Sequence, residues 1–187
     1  MSTNHSLLRK YLTTKRFKHS LEVARISQKI AEYYNYKKPE NAYIAGLYHD
    51  IAKDMSTEEL LATGKKYKYR FTSCELNSPA TLHAPVSMLI TKYELDITDR
   101  DILMAIKYHT TGRMKMSLLE KIVYLADIVE IGKKIDHALI VKKLVYSNIN
   151  EAVKITARET LKHLLEKEKV ICTKSLQCYN YYSMLAD

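Results

Sequence analysis

A chain of 187 residues with 47% hydrophobic content is long enough to bury a substantial single core without covalent help. Its 4 Gly and 3 Pro are too few for the turns of a many-stranded sheet, so a mostly helical chain is expected. The net charge of +9 favours anionic partners such as nucleic acid, a membrane surface or a polyphosphate, but it fits solvated helix faces equally well and selects no substrate.

Residues 17–34 place Phe17, Leu21, Ala24 and Ala31 on one stripe, with Val23, Ile26 and Ile30 beside it. This spacing predicts an amphipathic helix whose buried side includes His19. Pro39 opens a second predicted helix that runs through "AGLYHDIAKD" to about Asp54, and Ser56-Thr-Glu-Glu59 reads as a capping box opening a short third one. The pattern is lost from Lys65 to Ser78, where a long connection is expected. Helical spacing returns after Pro79 with His83, Val86 and Ile90, and again after Thr98-Asp-Arg-Asp101 with Ile102, Ala105, Ile106 and His109. Ser117-Leu-Leu-Glu120 is another capping box, followed by Ile122, Val123, Ala126 and Val129. One or two further helices are expected beyond Asp136, with a stop and restart near Asn148 and Asn150, and the last twenty residues show no period. No repeat or Pro/Gly-rich linker divides the chain. The expected architecture is an all-α bundle in one domain over residues 1–187, with its core in 16–137 and a helical extension in 138–187.

Three cysteines, Cys74, Cys172 and Cys178, without C-x-x-C spacing, indicate neither a disulfide framework nor a zinc knuckle, and a reducing cytoplasm is the expected compartment. The first twenty residues lack the apolar core of a secretory signal, and no later stretch approaches about 18 uncharged apolar residues, so a soluble protein is expected.

The histidines divide into two groups. His5, His137 and His163 have charged or polar neighbours and read as solvated. His19, His49, His83 and His109 sit on or beside apolar helical faces, where any one alone reads as a hydrogen-bonded core imidazole. Asp127, in "YLADIVEI", has Val123, Tyr124 and Ile131 as helical neighbours, and Asp50 shares a face with Gly46, His49 and Lys53. Burying an uncompensated carboxylate costs several kcal/mol or more. A divalent cation compensates both carboxylates and accepts nitrogen from all four imidazoles; a metal-free His/Asp network is the alternative. Six ligands exceed one site and suit two. His49 and Asp50, adjacent on a helix, would diverge by about 100° and reach different ions. Thiolate-bound zinc is disfavoured, whereas mixed imidazole and carboxylate ligation suits iron, manganese or another borderline cation.

The ordered set His19, His49-Asp50, Asp127 resembles the HD-domain superfamily of metal-dependent phosphohydrolases, whose pattern is H…HD…D on an all-α bundle. More narrowly, "RFKHSLEVA", "AGLYHDIAKD", "LHAPVS" and "AIKYHTTGRMKMSLLEKIVYLADIVE" resemble the YqeK-type symmetrical diadenosine tetraphosphate hydrolases over about residues 16 to 137. The resemblance implies that His19, His49, Asp50 and Asp127 hold one metal and His83 and His109 a second, with Asp50 bridging. It implies iron as the usual metal and symmetrical cleavage of diadenosine tetraphosphate to two ADP; manganese, cobalt, nickel and zinc are the alternative metals. The family commonly continues "AD-x-IE" with proline and arginine, whereas this chain reads Glu130-Ile131-Gly132-Lys133. Lysine keeps the charge but loses the planar fork that clamps phosphate, a departure that bears on substrate affinity and not on the metal centre.

Two cations about 3.5–4 Å apart would activate a water and clamp the attacked phosphoryl group, with Asp50 holding the pair. Lys53 would stabilise charge on the phosphate oxygens, with an ordinary surface lysine as the alternative. Thr110, Thr111, Gly112 and Arg113 follow His109 and offer hydroxyls, backbone amides and a guanidinium to a polyphosphate, Arg113 being the favoured clamp. Gly112 also suits a plain helix stop. Tyr33, Tyr34, Tyr48, Tyr67 and Tyr69 suit packing, with a base-stacking platform among them as the alternative. Hydrolysis of another nucleotide, a deoxynucleoside monophosphate or a guanosine polyphosphate, is an alternative activity, and a basic binding module with a structural metal is an alternative of another class. The expected partner is a nucleoside polyphosphate rather than nucleic acid or a membrane, with a homodimer left open.

Overall fold

Side-chain caps at Thr13, Ser56, Thr72, Asp99 and Asn148 set helix starts in this chain, Pro39 and Pro79 open two others, and the apolar spacing between starts fixes which face turns inward. In the computed structural model, which describes residues 5–131 and 136–185, eleven helices follow one another, and no strand occurs among the described residues. α1 (His5–Tyr11) leads into α2 (Thr14–Tyr33), where the Thr13 hydroxyl accepts from the Arg16 amide. α3 (Pro39–Tyr48) carries proline in its first turn, where no amide is needed. α4 (Thr57–Lys66) starts at the Ser56/Glu59 capping box read from the sequence. α5 (Ser73–Asn77), α6 (Pro79–Tyr93), α7 (Arg100–Tyr108), α8 (Leu118–Ile131), α9 (Asp136–Leu144), α10 (Ile149–Glu166) and α11 (Thr173–Met184) complete an all-α fold. None of the helices is long and apolar enough to cross a membrane, among the described residues.

Four stretches depart from expectation. The predicted second helix ends at Tyr48 rather than near Asp54 because the His49 ring donates to the Gly46 carbonyl (2.7 Å), the acceptor that the Asp50 amide would need to extend the helix. The chain turns instead, with the Lys53 amide donating to the Asp50 carbonyl at 2.8 Å. His49 and Asp50 therefore lie on a turn, and their divergence is not that of helical neighbours. The connection over residues 65–78 includes α5, opened by a Thr72/Glu75 capping box that the surrounding Lys and Tyr residues obscure. The last twenty residues contain α11, whose inward side is Ser175, Cys178 and Tyr182, a three-and-four spacing hidden by its polar residue types. Finally, Cys74 and Cys172 form a disulfide, their Cα atoms 5.5 Å apart across 98 residues of sequence, and Cys178 is free and buried. A separation of that length leaves no local signal.

α2 packs on α3 and α8; α3 also meets α7, and α7 meets α6 and α8. α3 is buried on nearly every side, at Asn41, Ala42, Ile44, Ala45, Gly46, Leu47 and Tyr48, which makes it the central helix. Its approach to α2 requires small residues. A Cβ on Gly46 would lie 2.8 Å from Ser27 Oγ, 2.9 Å from Ala24 Cα and 3.0 Å from the Val23 carbonyl oxygen. Gly46→Ala is therefore expected to destabilise by about 1–3 kcal/mol of overpacking, more than the roughly 1 kcal/mol that alanine gains in helix propensity. A lowered guanidinium midpoint at unchanged m would record it.

The C-terminal helices brace the others. α10 packs on α8, α9 and α11, and Lys121 Nζ donates to Asn150 Oδ1 at 2.8 Å. The Met116 amide donates to the Tyr182 hydroxyl at 3.0 Å. Gly112, at φ +60°, lies so close to Cys178 that a Cβ would come within 2.7 Å of its Sγ. The disulfide ties α5 to the start of α11. Its reduction is expected to cost about 3 kcal/mol and lower Tm by roughly 6–12 °C, measured by calorimetry with and without a reductant.

Candidate metal centre

Five helices deliver one group of side chains to a common point. His19 comes from α2, His49 and Asp50 from the turn after α3, His83 from α6, His109 from the end of α7 and Asp127 from α8. The ring centroids run His19 to His49 at 5.3 Å, His49 to His109 at 4.8 Å and His109 to His83 at 5.1 Å. The structure thus brings together all six residues singled out from the sequence.

Local backbone chemistry orients the rings. His49 Nδ1 lies 2.7 Å from the Gly46 carbonyl and His109 Nδ1 2.8 Å from the Ile106 carbonyl, the same i−3 arrangement at two helix ends. A carbonyl only accepts, so in both rings Nδ1 carries the proton and Nε2 keeps its lone pair for the interior. His19 is set by a side chain: its Nδ1 donates to Glu130 Oε2 at 2.7 Å, and its Nε2 faces Asp127 Oδ1 at 3.2 Å.

Asp50 lies between two sets of nitrogens. Its Oδ1 is 3.1 Å from His83 Nε2 and 3.3 Å from His109 Nε2. Its Oδ2 is 3.5 Å from His49 Nε2 and 3.7 Å from His19 Nε2, and accepts from Arg16 Nη1 at 2.8 Å. Burial opposes ionisation of Asp50, but the imidazoles of His49, His109 and His83 overcome it and hold the carboxyl well below the usual range. Asp127 is likewise lowered against burial, chiefly by His19. Burial pulls His49 and His83 below the ordinary imidazole pKa. Burial acts on His19 in the same direction, yet the Asp127, Glu130 and Asp50 carboxylates outweigh it and raise its pKa.

His19 Nε2, His49 Nε2 and Asp127 Oδ1 are buried without a hydrogen-bond partner, and all three atoms lie within 4.8 Å of one another. His49, Asp50 and His109 form a second such group. Orphaned buried lone pairs aimed at one point suit a cation, and the imidazole and carboxylate donors suit a borderline divalent metal. The residues present fit the group.

Lys53 Nζ lies 3.3 Å from His83 Nε2, beside the centre. Thr110 and Thr111 line a cleft of 320 Å³ with Lys107, Tyr108 and Lys174. Arg113 departs from expectation: its Nε and Nη2 donate to Glu120 at 2.6 and 2.8 Å, and its Nη1 to the Met114 carbonyl at 3.3 Å. The guanidinium fork compensates a buried carboxylate and is not directed at the histidine and aspartate cluster. Gly112 acts as the helix stop, its amide bonded to the Tyr108 carbonyl. Lys133 lies outside the described residues. Tyr48 is buried in the core and Tyr67 stacks on Tyr93 with centroids 4.6 Å apart, which are packing uses.

Two residues of the site carry no role in the sequence reading. Arg16 stands one turn before His19 and Glu130 three residues after Asp127, so each shares a face with a singled-out residue. That spacing was the available signal. Arg16 and His19 also line a 640 Å³ cleft with Lys15, Lys18 and Glu130.

The class follows from this helical bundle and its histidine and aspartate cluster: the chain belongs to the HD-domain family, whose model matches residues 16–132. Within that family, it is 31% identical to the symmetrical bis(5'-nucleosyl)-tetraphosphatase of Staphylococcus aureus, over 95% of this chain and 91% of that one. It is also 31% identical to the enzyme of the same name from Bacillus subtilis, over 93% and 92% of the two chains. The crystal structure of a Clostridium acetobutylicum protein described as a predicted HD superfamily hydrolase involved in NAD metabolism superimposes with a TM-score of 0.92. It is 32% identical, with 97% of this chain and 95% of that one covered.

Proposed function

We propose that the protein hydrolyses diadenosine tetraphosphate symmetrically, giving two ADP, at a dinuclear metal centre. The relatives named for this activity span nearly the whole chain. The observation that carries the dinuclear reading is Asp50, whose two oxygens face different imidazole pairs. His19, His49, Asp50 and Asp127 would hold one ion, and His83 and His109 the other with Asp50 between them. Iron is the proposed metal. At these residues a pair of divalent cations would supply an activated water and charge to polarise the phosphoryl oxygens.

The chain's own groups account for binding and orientation. Lys15, Arg16 and Lys18 line the larger cleft together with Glu22, Asp54 and Glu130, and with Arg16 paired to Asp50 the exposed Lys15 and Lys18 are the cations it offers a polyphosphate. Lys53 places an ammonium beside His83, where it offsets charge on the leaving phosphate. Thr110, Thr111, Lys107 and Lys174 offer hydroxyls and positive charge in the second cleft. Two clefts suit a substrate with a nucleotide at each end. Lys133 is retained as a phosphate contact, and Arg113 supports the 110–120 segment through Glu120. Residues 138–185 are read as part of the same domain because α10 packs on α8. A cytoplasmic location accords with the nucleotide substrate.

Chromatography of the products tests the proposal. Metal-loaded protein is expected to yield ADP alone from diadenosine tetraphosphate. ATP plus AMP, or preference for a deoxynucleoside monophosphate or a guanosine polyphosphate, would overturn it.

A further inference from the structure

The Cys74–Cys172 bond forms part of the wall of the 320 Å³ cleft that Thr110 and Thr111 also line. Its two ends differ in how firmly they are held. α5, which carries Cys74, is five residues long and buries no side chain, so neither helix cooperativity nor burial holds it in place. Its support is the Thr72/Glu75 capping box, the Tyr69 hydroxyl donating to Glu75 at 3.1 Å and limited packing on α6. α11, which begins after Cys172, is anchored by buried Cys178 and Tyr182. The bond therefore fastens a weakly packed wall to a firmly packed one.

Lys107 and Lys174 against Glu75 leave the cleft one positive charge in excess, which favours an anion. Lys107 Nζ lies 5.5 Å and Lys174 Nζ 6.0 Å from the Tyr108 ring centroid, and six hydroxyl side chains, Thr72, Ser73, Thr81, Thr110, Thr111 and Thr173, surround them. Thr72, Ser73 and Glu75 on one side and Thr173 and Lys174 on the other flank the two cysteines, so displacement of α5 would rearrange several of these groups together.

We propose that Cys74 and Cys172 form a reversible redox latch on this cleft, tightening nucleotide binding when closed and loosening it when reduced; the proposal rests on the nucleotide polyphosphate reading of the site. Closure proceeds by exchange with a low-molecular-weight or protein disulfide. One cysteine thiolate attacks a sulfur of that disulfide and expels a thiolate. The second cysteine then attacks the mixed disulfide, forms the Cys74–Cys172 bond and expels the other thiolate. The chain loses two protons and two electrons, and the partner disulfide is reduced to two thiols; a dithiol reverses the sequence. A bond of this kind in a reducing compartment is characteristically transient and regulatory.

KM for diadenosine tetraphosphate would be measured on metal-loaded protein, oxidised and phosphine-reduced, beside Cys74→Ser and Cys172→Ser. The redox state is confirmed by alkylation after denaturation, which labels Cys178 alone in the oxidised chain and all three cysteines in the reduced one. Reduction of the wild type is expected to raise KM roughly threefold to tenfold, the factor for re-ordering one or two side chains on binding, with kcat little changed. Both serine variants should show the reduced-state KM under either condition. Equal KM in the two wild-type states, or a reductant response that persists in the serine variants, overturns the latch while leaving the nucleotide reading intact. Absence of turnover in every state overturns both.

Discussion

Asp50→Asn is expected to lower kcat of the metal-loaded protein by on the order of a thousandfold or more, the equivalent of several kcal/mol of transition-state stabilisation. The amide is nearly isosteric, but it has one acceptor oxygen where Asp50 presents two, and no negative charge for four surrounding imidazoles and Arg16. Elemental analysis should find depleted metal, and circular dichroism should find the helices retained. In the wild type, a chelator should abolish turnover and added metal restore it; in the variant, added metal should not. Turnover within tenfold of the wild type would remove Asp50 from the centre of the mechanism.

Glu130→Ala is expected to weaken metal binding by about 10- to 100-fold, the usual effect of removing the carboxylate behind a ligating histidine. Glu130 fixes which nitrogen of His19 carries the proton, because its carboxylate accepts from Nδ1 and leaves Nε2 toward Asp127. Glu130→Gln keeps an acceptor for Nδ1 but not the charge, so its loss should be smaller. Competition against a chromophoric chelator gives both affinities. Equal affinity in wild type and the alanine variant would mean that the ring is held without Glu130.

The six clustered residues were legible because buried charge is costly and the chain places imidazole and carboxylate where apolar residues surround them. What escaped was their local geometry. Periodicity carried the second predicted helix past His49, since Ile51 and Ala52 continue the apolar pattern, whereas a side-chain hydrogen bond to Gly46 ends it. Arg113 is a different case. Its position beside "HTTG" suggested phosphate, but Glu120, seven residues on, is buried and takes the fork. Neither the Cys74–Cys172 pairing nor the inward side of α11 could be read locally, because each depends on where distant helices come to rest.

Gly46 joins two aspects of the molecule that are usually considered apart. Its carbonyl steadies the His49 ring, while the bare side of its Cα rests against the helix that carries His19. The gap between those two imidazoles is consequently gauged by how closely two backbones can nestle. Cation preference should then respond to bulk introduced at Ala24 or Ser27, residues that hold no ion themselves.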